Sequence, residues 1–419
     1  MARFSFLHAA DLHLDTPFAG VGRLDDRLAE RLRDASLAAW DRLVQTAIDR
    51  HVDFLVLAGD IYDGAERGLR AQLRFRDGCA RLSAKNIPIF IIHGNHDPLG
   101  GWSAVREWPQ GVTIFAPDEV TSQPVERDGE RLATIHGISY DRPDVRENLA
   151  LRFPADRQPA DGFTIGMLHC SVGDVGDHAT YAPCSLDDLR SRAIDYWALG
   201  HVHGQAVLHE HPYVVYPGCA QGRSPKPGET GEKGAILVTV AGGQVSAIDP
   251  VPLAEIVFDD IALDISDIDG IDALIDTLTN RAVEQARRTP GGAILTARLG
   301  GSGAVHDDLR RPGARQDLLK RLRETTAAPD GRLIWWRDLR DDTTATIDWD
   351  ILRERDDLVG EIVRRGDHLL SDANEAEALA NAVWQRGDNL ARSKPDADER
   401  ARLFKAAIRQ AVLTLENDR

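Results

Sequence analysis

Pro88-Ile89-Phe90-Ile91-Ile92-His93-Gly94-Asn95-His96-Asp97-Pro98 decides how this chain is read. The apolar run Ile89–Ile92 has the length and β-branched character of a buried strand. It stops abruptly in a turn, and Gly94 and Asn95 suit a turn because both tolerate positive φ. Two histidines and an aspartate packed round that turn ask for a further explanation. A strand end that carries Asn, His and Asp together has the donors to hold something.

The same design recurs on both sides of it. FSFLHAADLH (4–13) precedes an amphipathic stretch over about 25–50, and DFLVLAGDIYD (53–63) precedes another over 67–85. LATIHGISY, FTIGMLHCSVG, YWALGHVHG, YVVYPGC and GAILVTV follow at loop-separated intervals. Near-continuous apolar runs alternating with helices indicate buried strands of an α/β domain. The later runs lie closer together with less helix between them, which predicts a second, more antiparallel sheet. From residue 256 to 340 the order is β-α-β-α-β: EIVFDDIALDI, a helix over 267–289, GAILTARLG, a helix over 306–326, and GRLIWWRDL. Beyond 341 only helical periodicity remains, in Ile347, Ile351, Leu352, Leu358, Ile362 and Val363, then in Leu403, Phe404, Ala407, Ile408, Val412 and Leu415. SKPDADER (393–400) reads as a linker that opens a helix. Three parts are expected: 1–255, 256–340 and 341–419.

The strand ends hold the chemistry. In order they offer Asp11 and His13, then Asp60 and Asp63, then Asn95, His96 and Asp97, then His169, then His201 and His203. In open α/β sheets functional groups gather just beyond the carboxyl ends of strands. Asp, Asn and His are oxygen and nitrogen donors suited to divalent cations. In extended backbone residues i and i+2 point the same way, so each D-x-H or H-x-H pair can face one metal. Any one of these clusters alone could be turn decoration, but five in order, each after an apolar run, argue for a shared site. The donors exceed what one tetrahedral zinc needs and suit two ions bridged by a carboxylate, an arrangement that clamps a phosphoryl group. His8 and His93, inside or flush with strands, read as structural. His51, His136, His178, His209, His211, His306 and His368 show no such pattern. Cys170, beside His169, reads as core.

Composition sets the outer limits. The 419 residues are 42% hydrophobic and 28% charged, which is ordinary for a globular protein and too long for one core. No apolar run approaches a membrane span, and the N-terminus has no secretory pattern. Cys79, Cys170, Cys184 and Cys219 show no C-x-x-C spacing, so zinc knuckles and a disulfide framework are not expected and a reducing cytoplasm fits. The formal net charge of −17 runs against a nucleic-acid partner, yet residues 281–340 hold 13 Lys+Arg against 7 Asp+Glu. Local fields outweigh the total. Arg310, Arg311, Arg315, Lys320, Arg321 and Arg323 cluster in or near one expected helix and are candidate phosphate contacts, the plainer reading being a solvated face.

The series D-x-H, GD-x-x-D, GNHD, H and GHxH, spread over residues 11–203, resembles calcineurin-like metallophosphoesterases. FLHAADLHLDTPFAGV, LAGDIYD and HGISYD resemble in particular the bacterial SbcD/YhaO-type group of DNA-repair exonuclease subunits. The resemblance implies an α-β-β-α sandwich, with a small α/β cap and a C-terminal helical region added. It places Asp11, His13 and His203 on a first metal, and Asn95, His169 and His201 on a second, with Asp60 bridging. His201 and His203 would thus reach different ions. His96 takes the place of the catalytic histidine and Asp63 that of the residue orienting it, while Asp97 is left as a turn residue or as one that supports the ligands from behind. Two divalent ions are expected, manganese by preference, with iron or zinc as alternatives. A bridging hydroxide would attack phosphorus, with His96 assisting.

The implied function is a DNA exonuclease, endonuclease action being open. The alternatives are a phosphodiesterase or phosphatase on small nucleotides and a non-catalytic scaffold holding DNA ends; loss of ligands, usual in such scaffolds, is not seen here. The implied partners are DNA and an SMC-like ATPase, whose coiled coils the C-terminal helices with Trp349, Trp384 and Phe404 would meet. The plainer reading of those helices is a small bundle of their own. A homodimer is also left open.

Overall fold

The computed structural model describes residues 3–19, 26–64, 68–158, 161–173, 179–327, 331–386 and 396–417; His178 and residues 393–395 of the expected linker lie outside them. Strands β1 (Phe4–Ala9), β2 (Phe54–Ala58), β3 (Ile89–Ile92) and β4 (Val112–Ile114) run parallel in one sheet. A second sheet is built on β6 (Glu130–Gly137), β7 (Phe163–His169) and β8 (Tyr196–Gly200) with β10 (Tyr213–Tyr216), again in parallel, flanked by antiparallel β5 (Thr121–Arg127) and β9 (Ala206–Glu210). Strands β11 (Gly234–Ala241) and β12 (Gln244–Pro252) return antiparallel to the first sheet, giving the orders β12-β11-β1-β2-β3-β4 and β5-β6-β7-β8-β10-β9.

The expectation of a more antiparallel second sheet is therefore corrected: each sheet has three parallel and two antiparallel pairings. Parallel neighbours need a crossover, but nothing requires the crossover to be a long helix. Among the described residues the helical turns of these crossovers are a 3-10 turn, Leu149–Arg152, and the five-residue α3 (Leu186–Arg190), so the sequence showed little helix there.

The unbroken apolarity of the central strands follows from their two-sided burial. Phe54, Val56, Phe90 and Ile92 face the other sheet, packing with Ile135, Phe163, Ile165, Tyr196 and Val215. Leu55, Leu57, Ile89 and Ile91 face outward against Trp40, Leu43 and Val44 of α1 (Asp26–Asp49) and Phe75 of α2 (Leu69–Ser83). Leu168, Trp197 and Leu199 close the far side with Leu149, Phe153 and Leu189. His8 is a buried tie between the sheets, with Nδ1 3.0 Å from the Tyr196 hydroxyl and Nε2 3.1 Å from the Leu199 carbonyl.

The described chain divides into two compact units, one of residues 1–261, 279–296 and 323–338, the other of 262–278, 297–322 and 339–419. A three-stranded sheet, β13 (Ile256–Asp264), β14 (Gly292–Gly300) and β15 (Leu333–Asp341), has residues in both. Within the first unit, Ile256, Phe258 and Ile294 pack with Leu32 and Ala35 of α1. After α4 (Ile271–Ala286), the helix expected over 306–326 is two helices, α5 (Val305–Leu309) and α6 (Ala314–Thr325). Pro312-Gly313, with Gly313 at φ +82°, breaks it. In the second unit α7 (Trp349–Arg353), α8 (Leu358–Ser371) and α10 (Ala397–Asn417) share a core of Leu352, Val359, Val363 and Val412, and α9 (Ala373–Arg386) follows α8. The carboxylates of Asp348, Asp357 and Asp396 accept backbone N–H groups at the starts of α7, α8 and α10, as N-caps do.

Candidate metal centre

Five strand ends meet at one edge of the sandwich: the residues after β1, β2 and β3 from one sheet, the last residue of β7, and the residues after β8 from the other. Strand direction dictates this, because β1–β3 are mutually parallel and His169 of β7 pairs with Gly200 at the end of β8.

The donors converge. His13 Nε2 lies 3.2 Å from His203 Nε2, 4.0 Å from Asp11 Oδ1 and 3.9 Å from Asp60 Oδ2, and His203 Nε2 lies 3.9 Å from Asp11 Oδ1. His169 Nε2 lies 3.1 Å from Asn95 Oδ1 and 3.3 Å from Asp60 Oδ2. At metal–ligand distances of about 2.0–2.2 Å, two donors sharing one ion stand about 3–4 Å apart. Both groups meet that spacing, and Asp60 Oδ2 belongs to both.

Outer hydrogen bonds set the tautomers. His169 Nδ1 donates to the Ala58 carbonyl (2.9 Å), His201 Nε2 to the Ala179 carbonyl (2.8 Å) and His203 Nδ1 to Glu229 Oε1 (2.7 Å). Each leaves its other nitrogen as the one available to a cation, and a carboxylate behind an imidazole raises its basicity as a ligand. The His201 ring lies 5.4 Å from that of His169, so His201 sits with the Asn95–His169 group and His203 with the Asp11–His13 group.

Asp11 and His13 meet without extended backbone, contrary to the expectation from their spacing. Asp11, His13, Asp60 and His201 have φ of +51°, +42°, +53° and +98°. Non-glycine residues in this region store strain of about 1–3 kcal/mol each and concentrate at functional sites. Gly94 permits the closest approach of the GNHD turn to the bridge position: a Cβ there would stand 2.3 Å from Asp60 Oδ1.

The electrostatics fit a cation. Burial pushes the Asp11 carboxyl up to about 6, opposed by His169 and His203. Burial also works against the charged form of Asp60, but its contacts with His169 and His13 hold it far below the usual carboxylate range. For His169 burial opposes the proton while Asp60 retains it, leaving the group at about 9. A cation seated between such an imidazole and carboxylate takes the proton's place. These buried, acceptor-rich donors therefore suit divalent ions.

Beside the donors stands His96, its side chain 43% exposed, with Nδ1 2.5 Å from Asp63 Oδ1 and its backbone N–H donating to Asp60 Oδ1 (2.9 Å). Asp97 is an internal clamp. Its buried carboxylate accepts from the N–H groups of Asp60, Ile61 and Gly94 and lies 3.0 Å from His93 Nδ1, holding the second and third strand ends together.

Sequence reasoning missed three residues. Glu229 backs His203, Arg223 Nη1 donates to Asp63 Oδ2 at 3.0 Å, and Tyr140 donates its hydroxyl to the His169 carbonyl at 2.5 Å. Arg223 and Glu229 lie in the loop after β10, which is parallel to β8 and so releases its chain at the same edge. That pairing was the only signal, and it is not visible before the sheet order is known.

The arginine set is divided. Arg310 and Arg311 lie in the break between α5 and α6, Arg311 pairing with Asp308 at 3.0 Å. Arg315, Lys320 and Arg321 lie exposed on α6. Arg323 is turned to other use, donating to the carbonyls of Trp336 (2.6 Å) and Arg337 (3.0 Å) and lying 4.7 Å over the Trp335 ring.

Residues 4–205 match the calcineurin-like phosphoesterase family, and residues 258–344 match the middle domain of the metallophosphoesterase YhaO. The uncharacterized metallophosphoesterase YhaO of Bacillus subtilis is 36% identical over 344 residues, covering 81% of this chain and 82% of that protein. This chain belongs to the calcineurin-like metallophosphoesterases. Members of that hydrolase family use divalent metals, and the donors of this metallophosphoesterase have the matching chemistry. It is also related at lower identity to proteins named as DNA double-strand break repair protein Mre11. That of Thermoplasma acidophilum is 28% identical, covering 57% of this chain and 63% of its own length; that of Sulfurisphaera tokodaii is 27% identical, covering 50% and 51%. Among the described residues no helix is long and apolar enough to cross a membrane.

Proposed function

We propose that this metallophosphoesterase is a two-metal phosphodiesterase that acts as a DNA exonuclease in repair, with manganese as the preferred ion. The observation that carries it is the sharing of Asp60 Oδ2 between two donor groups, with the His96–Asp63 pair beside them. Asp11, His13 and His203 would hold one ion, Asn95, His169 and His201 the other, and Asp60 both.

When bound, two such ions supply an acidified water and neutralise charge growing on a phosphoryl group. The chain's own residues do the rest. His96 projects from a backbone pinned to Asp60, and its Nδ1 is committed to Asp63, so Nε2 is the atom offered to the leaving oxygen. Asp63 favours the protonated imidazole, and the His96 pKa is accordingly raised. Asp63 in turn is held below the usual carboxylate range chiefly by that hydrogen bond.

DNA as substrate is supported by the Mre11 relatives' names and by the exposed basic residues of α6 and the turn before it. The α7–α10 helices leave Ile351, Leu358 and Leu403 exposed, which supports docking on a coiled-coil ATPase. The test is incubation of purified protein and manganese with end-labelled duplex and single-stranded DNA, with and without chelator. Metal-dependent shortening supports the proposal; hydrolysis of bis(p-nitrophenyl) phosphate without DNA cleavage moves the substrate to small nucleotides.

A further inference from the structure

The candidate acid and one candidate ligand are each backed by a carboxylate, and one guanidinium joins the two. Asp63 holds His96 through Oδ1, and its Oδ2 accepts from Arg223 Nη1 at 3.0 Å. Glu229 holds His203 through Oε1, and its Oε2 accepts the Arg223 backbone N–H at 2.9 Å; Arg223 Nη2 lies 3.9 Å from Glu229 Oε1. The Arg223 side chain is 12% exposed, and its Nε is buried without a hydrogen-bond partner among the described residues. An orphaned buried donor weakens a fold, so stability alone does not account for an arginine here.

The loop geometry shows that the pairing is built in. A Cβ on Gly222 would stand 2.0 Å from the Glu229 carbonyl oxygen, so only glycine lets the chain fold back and bring Arg223 beside Glu229. Arginine suits the place because its planar fork keeps two carboxylates in fixed relative positions, which a lysine ammonium does not.

We infer that Arg223 is a positioning residue which aligns His96 through Asp63 and His203 through Glu229, and so ties the acid to the metal site. The inference rests on the phosphodiesterase reading above. Without the guanidinium, the buried Glu229 carboxylate and the partly buried Asp63 carboxylate lose their shared counter-charge and neither keeps its imidazole in register. Outer partners of metal ligands are worth about 10–100-fold in metal affinity.

The experiment compares wild type, Arg223→Gln and Arg223→Lys by manganese titration calorimetry and by turnover of bis(p-nitrophenyl) phosphate. Arg223→Gln is expected to weaken one manganese site about 10–100-fold while sparing the other. It should also lower kcat about tenfold or more with little change in KM, as loss of an interaction made in the transition state does. Placed in a His96→Ala background at saturating manganese, it should not lower the residual kcat further, since the acid it aligns is gone. Arg223→Lys should fall short of wild type in both readouts, and it carries the test should Arg223→Gln fail to fold. Unchanged manganese affinity in both variants overturns the inference, as does full rescue by lysine or an equal kcat loss with and without His96. A wild-type protein that neither binds manganese nor cleaves the diester defeats the phosphodiesterase reading itself.

Discussion

His96 and Asp60 stand at neighbouring points of the site but carry different burdens, and substitution should separate them. His96 reaches Asp60 through its backbone N–H and packs its ring edge-on against that of His13 at 5.0 Å, while its Nδ1 is committed to Asp63. His96→Ala should therefore lower diester turnover by about 10²–10⁴-fold, the usual worth of a placed acid. Elemental analysis of that variant should still find two metals per chain; the loss of one would make His96 a ligand. Asp60 is the reverse case, because its Oδ2 faces both His13 and His169. Asp60→Ala should empty or disorder both sites, and two tightly held metals in that variant would place the bridge elsewhere. The strained φ values of Asp11, His13, Asp60 and His201 belong to this scale as well. Their residue types were legible in the sequence. Their conformations were not, since positive φ at Asp or His depends on what the rest of the fold enforces.

At the scale of elements, the site exists because two sheets present parallel strand ends to one edge, and buried ties such as His8 hold the sheets in register. Burial lowers His8 from 6.5 to about 3, against the help of the Leu199 carbonyl. Between those values the unfolded chain binds a proton that the folded chain refuses, so the contribution of His8 to stability falls as pH drops below 6.5 and is constant above it. Denaturant unfolding at pH 7.5 and 5.5 should show wild type losing about 1.4 kcal/mol more than His8→Gln over that interval. Equal losses would mean that His8 is not held neutral. The strands from β1 to β3 could be read directly, because burial on both faces makes them unbroken apolar runs. The parallel course of β6, β7, β8 and β10 could not, because the described residues of their crossovers include a 3-10 turn and a five-residue helix but no long helix. Glu229 and Arg223 escaped for the same reason, since their loop reaches the site only through the β8–β10 pairing. On α6 and the turn before it, changing Arg310, Arg311, Arg315 and Arg321 to Gln should weaken duplex binding and flatten its salt dependence. Each lost phosphate contact removes about 0.9 from the slope of log K against log salt. An unchanged slope would leave these arginines as a solvated face.

For the molecule as a whole, a net charge of −17 makes any hold on DNA local rather than general. Ligands that bind only the folded state raise its stability by mass action, so the manganese-loaded protein should melt above the chelated one. Identical melting temperatures in saturating manganese and in chelator would argue that the donors hold no ion. The motif series carried the family and the fold of the first half into view from the sequence alone. The substrate is a different matter, because one metal centre serves many phosphate esters. The central claim is that two ions, bridged by Asp60, cut DNA from its ends, and the most direct measurement is a time course on end-labelled duplex DNA with manganese. Progressive shortening that stops on adding chelator, and is lost in His96→Ala, is the predicted result; duplex left intact under conditions where the same preparation hydrolyses bis(p-nitrophenyl) phosphate would contradict it.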